Sequence, residues 1–255
     1  MFIQKVVRKL KWEARRLKRE WKAIRYRAAK RRFRRHCAEL SKLVPEPIFV
    51  KVGANDGITN DPCSDILLAN PNWKGLLVEP VPYCFERLKA NFSNSTRFTL
   101  EQAAIGSTAG VKPFYYLDPD ARVSLPDLPV WFDHLASFDR NHILKHYVEL
   151  EPFIHERDIE VITLANVLDR HGIGKFHLLH VDTEGYDYEV LKTLDFEKNA
   201  PVLILVEYKH LRADEKEAML ELFCKHGYTV HDCGDDYFAV NREAEKRLKR
   251  KFFSP

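Results

Sequence analysis

From Ile48 onward, short runs of β-branched and aliphatic residues alternate with segments of helical spacing, and that alternation confines the chain to parallel βαβ units. Ile48–Val52, Gly75–Val78 and Arg97–Ala104 read as the first three strands. Helices are expected near Asp65–Ala69 and over Tyr83–Asn91. Phe176–Val181 and Val202–Glu207 are nearly continuous apolar runs, as central parallel strands covered on both faces must be. Tyr188–Leu194 and Glu215–His226 have helical spacing, and Tyr228–His231 with Tyr237–Val240 fit an antiparallel edge joined through Gly234. The fold class is therefore α/β, a mostly parallel open sheet. The interval Leu117–Pro152, with four prolines, several aromatics and the polar set Ser137, Arg140, His142 and His146, breaks the rhythm. It reads as an insertion that covers the ligand crevice at the carboxyl ends of the strands.

Ahead of this pattern, Ile3, Val7, Leu10, Ala14, Leu17, Trp21, Ile24 and Ala28 recur at alternate spacings of four and three, one stripe of a helix that Pro45 and Pro47 must end. Residues 1–36 hold sixteen Lys and Arg against two acidic residues, a formal +14, so the overall +4 leaves −10 for the other 219 residues. The expected organisation is a basic amphipathic helical arm (1–44), a catalytic domain (45–241) and a basic C-terminal tail (242–255). Among 255 residues no run approaches the ~18 apolar residues of a membrane span, and no secretory leader is evident. Five dispersed cysteines without a C-x-x-C pair fit reduced thiols, and a cytoplasmic location is expected.

The first strand runs into Gly53-Ala-Asn55-Asp56-Gly57, where glycines allow a sharp turn and close approach of a ligand. The second ends at Glu79, at about the ~20-residue separation at which a carboxylate accepts from ribose hydroxyls. Without a basic residue in the loop to meet a pyrophosphate, adenosine joined to a cationic group fits better than a dinucleotide. A second constellation, Asp182-Thr-Glu184-Gly185, follows the fourth strand, and Glu207 and His210 close the fifth. Asp182, Glu184, Glu207 and His210 should meet at one sheet edge with mutually perturbed protonation. Asp187 and Glu189 suit the first turn of the next helix, and a plain pairing of Glu207 with Lys209 or Arg212 is the structural alternative.

Phe49-Val-Lys-Val-Gly-Ala-Asn-Asp-Gly57, Leu77-Val-Glu-Pro-Val-Pro82, Ala103-Ala-Ile-Gly106, Leu179-His-Val-Asp-Thr-Glu-Gly-Tyr-Asp187 and Leu205-Val-Glu-Tyr-Lys-His210, in this order over about Pro45–Val240, resemble the FkbM-type S-adenosylmethionine-dependent methyltransferases. The resemblance implies a class I, Rossmann-like seven-stranded fold with S-adenosyl-L-methionine as cofactor. Gly53, Asn55, Asp56 and Gly57 would pass its methionine part, Glu79 would bind the ribose, Ala104 and Ile105 would flank the adenine, and Asp182 would lie near the sulfonium. Family members mostly methylate hydroxyls, often on sugars or natural products, and this chain lacks the Asn/Asp-Pro-Pro-Tyr sequence of amino-group methyltransferases.

A hydroxyl acceptor must be aligned and lose its proton, for which His142, His210 and Asp182 are the candidate bases, with His146 a further histidine of the same set. Ser137, Arg140, Glu184 and Glu207 are expected at the rim. A divalent cation on Asp182, Glu184 and Glu207 would serve the same end, but metal-independent chemistry is the default. The leading expectation is an O-methyltransferase of glycans or small natural products, held to an anionic membrane surface through residues 1–36. RNA methylation using the same arm, coiled-coil self-association of its stripe, packing of the arm on the acidic remainder, and an inactive cofactor-binding interaction module are the alternatives.

Overall fold

The computed structural model describes residues 2–129 and 132–253. In chain order it comprises α1 (Phe2–Leu43), β1 (Ile48–Val52), α2 (Ser64–Ala69), β2 (Lys74–Val78), α3 (Pro82–Phe92), β3 (Phe98–Glu101), β4 (Ala104–Ile105), β5 (Gly110–Leu117), α4 (Ala121–Ser124) and α5 (Arg140–Leu144). There follow β6 (Ile154–Ile162), α6 (Leu164–Arg170), β7 (Leu178–Val181), α7 (Asp187–Lys192), α8 (Phe196–Asn199), β8 (Leu203–Glu207), α9 (Ala213–Lys225), β9 (Tyr228–Asp232), β10 (Asp236–Asn241) and α10 (Arg242–Phe253). Seven strands form one sheet in the order β3-β2-β1-β7-β8-β10-β9, parallel except for β10, which is antiparallel to both its neighbours.

Side chains alternate across each strand, and here both faces are dry. Val50, Val52, Leu76, Val78, Leu179, Val181, Ile204 and Val206 pack against α6, α7 and α9 through Leu164, Val167, Val190, Leu191, Met219 and Phe223. The intervening Phe49, Leu77, Leu178, Leu203, Leu205, Phe238 and Val240 face α1, α2 and α3. All five positions of β8 are buried, as its unbroken Leu-Ile-Leu-Val-Glu run requires.

Two expectations need correction. The strand expected over Arg97–Ala104 is two strands: β3 belongs to the main sheet, whereas β4 joins a separate three-stranded sheet of order β4-β6-β5. The interruption at Gln102-Ala103 steers the chain away from β2 and onto β6. The part of the arm from Ala29 onward also packs on the domain. Its stripe ends differently from the expected one, because Ile24 and Ala28 are exposed and the buried positions are Ala29, Phe33, Cys37 and Leu40. The side chains of Ile3, Val7, Leu10, Ala14, Leu17 and Trp21 lie outside those described. Phe33 stacks edge-on against Phe238 at 5.2 Å, and Trp73 donates to Ser41 Oγ at 2.6 Å. Burying Phe33 and Leu40 stabilises this docking by about 1.5–3 kcal/mol each. Arg25 with Asp232, Arg34 with Asp65 and His36 with Glu245 add rim contacts to the acidic domain. A short 3₁₀ turn (Phe132–His134), α4, α5 and a second 3₁₀ turn (Val148–Phe153) form the insertion between β5 and β6, on a small core of Leu117, Leu135, Ile143 and Leu150.

Candidate functional site

The carboxyl ends of the parallel strands and the insertion enclose a cavity of about 640 Å³. Its first wall is the turn after β1. Gly53 and Ala54 donate to the Val78 carbonyl at 3.0 Å each, and a Cβ at Gly53 would lie 1.7 Å from the Asp182 carbonyl oxygen. With φ at +79° as well, the position accepts only glycine. Glu79, buried at the end of β2, accepts from Asn55 N at 2.7 Å and Val81 N at 2.8 Å, one bond per carboxylate oxygen. Burial pushes its carboxyl up to about 7 despite those two bonds.

Gly53, Asn55, Glu79, Ala104, Ile105 and Asp182 all line the cavity, together with Ser137, Glu184, Glu207 and His210. Four expected residues, Asp56, Gly57, Arg140 and His142, do not. The Asp56 carboxylate is turned into its own loop, accepting from Ile58 N, Thr59 N and Thr59 Oγ1. Gly57 faces α3, where a Cβ would meet the Phe92 ring at 2.5 Å. Arg140 is half-buried and pairs with Glu151. His142 sits behind the wall but reaches the site through Glu184.

The opposite wall gathers titratable groups. Glu184 occupies the left-handed region at φ +54°, an unfavourable place for a side chain that the loop after β7 holds in position. Its Oε2 lies 3.2 Å from His210 Nε2 and 3.8 Å from His142 Nε2. Burial raises the Glu184 carboxyl, but these imidazoles outweigh it and keep the group below the usual carboxylate range. Burial lowers His210 to about 4, so its ring is neutral at physiological pH. The His142, His146 and His210 rings lie 5.2–5.5 Å from one another. Glu207 is close to His210, at 3.7 Å, and not to Arg212, which pairs instead with Asp214 and Glu215. Burial, with Asp182 and Glu184 nearby, drives the Glu207 carboxyl far upward. Burial likewise raises Asp182, reinforced by Glu184. Asp187, at the start of α7, accepts from Thr183 N and Gly185 N, fixing the loop that presents Glu184.

Several lining residues were not singled out from sequence. Lys51 on β1 pairs with Asp61, both almost wholly buried beneath the cavity, and Phe114, His134, Phe138 and Tyr186 complete its sides. Tyr26 and Lys30 of α1 also line it, so the arm contributes to the site itself. Only a helical register running on past Ala28 to Phe33 and Cys37 would have placed them there.

Residues 51–230 match the Methyltransferase FkbM domain. The chain belongs to the FkbM methyltransferase family. Methyltransferase sdnD of Sordaria araneosa is 28% identical over 185 residues, covering 65% of this chain and 67% of its own length. Among solved structures, precorrin-6y C5,15-methyltransferase from Geobacter metallireducens GS-15 is similar at 11% identity, covering 81% of this chain and 85% of its own, with a TM-score of 0.39. Aeropyrum pernix fibrillarin with natively bound S-adenosyl-L-methionine is similar at 8% identity over 78% and 66% of the two chains, with a TM-score of 0.37.

As an FkbM methyltransferase, the chain uses S-adenosylmethionine, which supplies an electrophilic methyl on a sulfonium carrying a zwitterionic tail. The residues fit that group. Glu79 and Asp182 put carboxyls at the two strand ends, Gly53 keeps the loop open, and Ala104, Ile105 and Phe114 give an apolar wall for a base. No helix among the described residues is long and apolar enough to cross a membrane.

Proposed function

We propose that this FkbM methyltransferase transfers the methyl group to a hydroxyl oxygen of a sugar, a glycan or a small natural product. The observation that carries the reading is the neutral His210 imidazole, 3.2 Å from ionised Glu184 at the end of the cavity opposite Glu79. A hydroxyl must lose its proton as the carbon–oxygen bond forms and the carbon–sulfur bond breaks. The His210 ring is unprotonated near pH 7, so it has a lone pair free to take that proton as the bond forms. Glu184 Oε2, 3.2 Å from Nε2, is placed to accept from that nitrogen, which would leave the lone pair on Nδ1. It also stabilises the imidazolium once the proton has moved, as a carboxylate beside a base does in other enzymes. His142 supports Glu184 from behind, and Asp182 is the second carboxyl near the reacting carbon. The carboxyls of Glu184, Glu207, Asp182 and Asp236 around the acceptor end suit a ligand with several hydroxyl donors.

The location at a membrane surface is supported by composition. Sixteen cations in residues 1–36 attract anionic lipid at about 1 kcal/mol for each that reaches the surface. Because Phe33, Cys37 and Leu40 are committed to the core, the membrane-facing part lies N-terminal to Ala29.

The test is transfer of tritiated methyl into separated glycan, small-molecule and RNA fractions, followed by acid and base stability of the labelled bond. Ether-stable label in a glycan or small-molecule fraction is expected. Label confined to RNA would transfer the reading to the nucleic-acid alternative, and vesicle flotation equal on neutral and anionic lipid would overturn the membrane location.

A further inference from the structure

We propose that His142, His146, His210 and Glu184 form a binding site for a divalent transition-metal ion, with Zn²⁺ the best match, at the acceptor end of the cavity. One nitrogen of each histidine lies within 4.8 Å of one from each of the others, and Glu184, Glu207 and His210 satisfy the same condition. His210 thus joins two overlapping ligand sets. Zinc bonds of about 2.0–2.1 Å at tetrahedral angles put ligand atoms roughly 3.3–3.4 Å apart. The His210 Nε2–Glu184 Oε2, His210 Nε2–Glu207 Oε1 and His142 Nε2–Glu184 Oε2 separations of 3.2, 3.7 and 3.8 Å bracket that spacing. Small side-chain rotations would close the wider imidazole separations.

Two further observations point to a ligand. His142 is 6% exposed and its Nε2 makes no hydrogen bond, and Glu207 is 8% exposed with Oε2 equally unsatisfied. Both side chains border the cluster. A buried polar atom without a partner is unfavourable, and a cation bound at His142 removes that penalty there. Three imidazoles and a carboxylate are a borderline donor set, which favours zinc, cobalt or ferrous iron over magnesium or calcium.

One contact opposes the ion. Lys145 Nζ is 2.9 Å from His142 Nδ1, so the ammonium donates there and places the ring proton on Nε2. Coordination through Nε2 moves that proton to Nδ1, and Lys145, which is exposed, must withdraw. Lys145 therefore competes with the metal, and K145M should bind at least as tightly as the parent chain.

The site rests on the cluster and not on the hydroxyl-methylating reading, and the experiment keeps the two apart. The full chain, stripped with chelator, is titrated with Co²⁺ and Zn²⁺, following cobalt d–d absorption, zinc displacement of that signal, and heat. One equivalent per chain is expected, with intense tetrahedral bands. H146A, H210A and E184A should each weaken binding by more than the 10–100-fold typical of outer-shell changes. Retained S-adenosylmethionine affinity in these variants shows that they are folded. Absence of one-to-one saturation, unaltered binding in H146A and H210A, or weaker binding in K145M would overturn the site. With zinc on Nε2 the neutral ring carries its proton on Nδ1 and has no lone pair left to accept another, so saturation should suppress turnover. Full turnover in the zinc-loaded chain would remove His210 as the proton acceptor and leave the metal site standing.

Discussion

Around the loops after β1 and β2, polar groups are already committed. Both oxygens of Glu79 hold backbone amides, Asp56 is consumed by its own turn, and Gly53 and Ala54 are tied to Val78. The wall made by the insertion and the ends of β7 and β8 is the opposite. Glu184 is held at an unfavourable φ, Glu207 and His142 keep unsatisfied buried atoms, and three imidazoles crowd together. A cofactor shared by many enzymes can be met by a rigid cradle whose hydrogen bonds are formed in advance. Proton removal from a particular acceptor would need groups whose charge can still change, and such groups are left under tension.

That contrast can be broken at several points. The largest effect is expected at His210: H210A should lower kcat by about 10²–10⁴-fold and leave the dissociation constant for S-adenosylmethionine unchanged. A matching loss of cofactor affinity would show that the two halves are not functionally separate. Next in size is K51M, which strands the buried Asp61 carboxylate opposite it. Breaking a buried pair from one side costs about 3–5 kcal/mol, read as a lower midpoint in urea at constant slope. G53A should follow, since a Cβ 1.7 Å from the Asp182 carbonyl must displace β1 or β7. A loss of more than about 2 kcal/mol is expected, together with cofactor binding too weak to measure by calorimetry.

The smallest effect concerns pH. Burial holds Glu79 up at about 7, and a cationic ligand favours its ionised form. Affinity for S-adenosylmethionine should therefore fall as pH drops below about 7, by at most tenfold per pH unit, and the dependence should vanish in E79Q. The stability consequence runs the other way. Between the unfolded value of about 4.3 and 7 the folded chain binds more protons at Glu79, so its contribution is present at low pH and lost as pH rises through 7. A melting series of the parent chain and E79Q across that window reads the sign directly.

The cofactor half was legible in sequence because each of its parts is local. A strand, a glycine turn and a strand-end carboxylate lie within about thirty residues, and the period of the strands places them on one edge. The second sheet was not legible. β6 is Ile-His-Glu-Arg-Asp-Ile-Glu-Val-Ile, exposed along most of its first half, and Pro113 interrupts its partner β5, so neither carries a strand's apolar signal. The arm misled for a different reason. A stripe of period 3.5 drifts around a straight helix of 3.6 residues per turn, and the buried set Ala29, Phe33, Cys37 and Leu40 starts one position beyond the last residue of that stripe.

By itself the sequence determined the order of the βαβ units, the dry central strands and the glycine and carboxylate pair that lines the cavity, since periodicity and turn chemistry act over short distances. Tertiary structure alone decided that His142 and His146, from an irregular insertion, meet His210 from the far end of β8, and that Tyr26 and Lys30 of the basic helix reach the same cavity. Those contacts join residues 64 or more apart in the chain, or elements whose register depends on packing. No local pattern encodes where the two ends of such a contact come to rest.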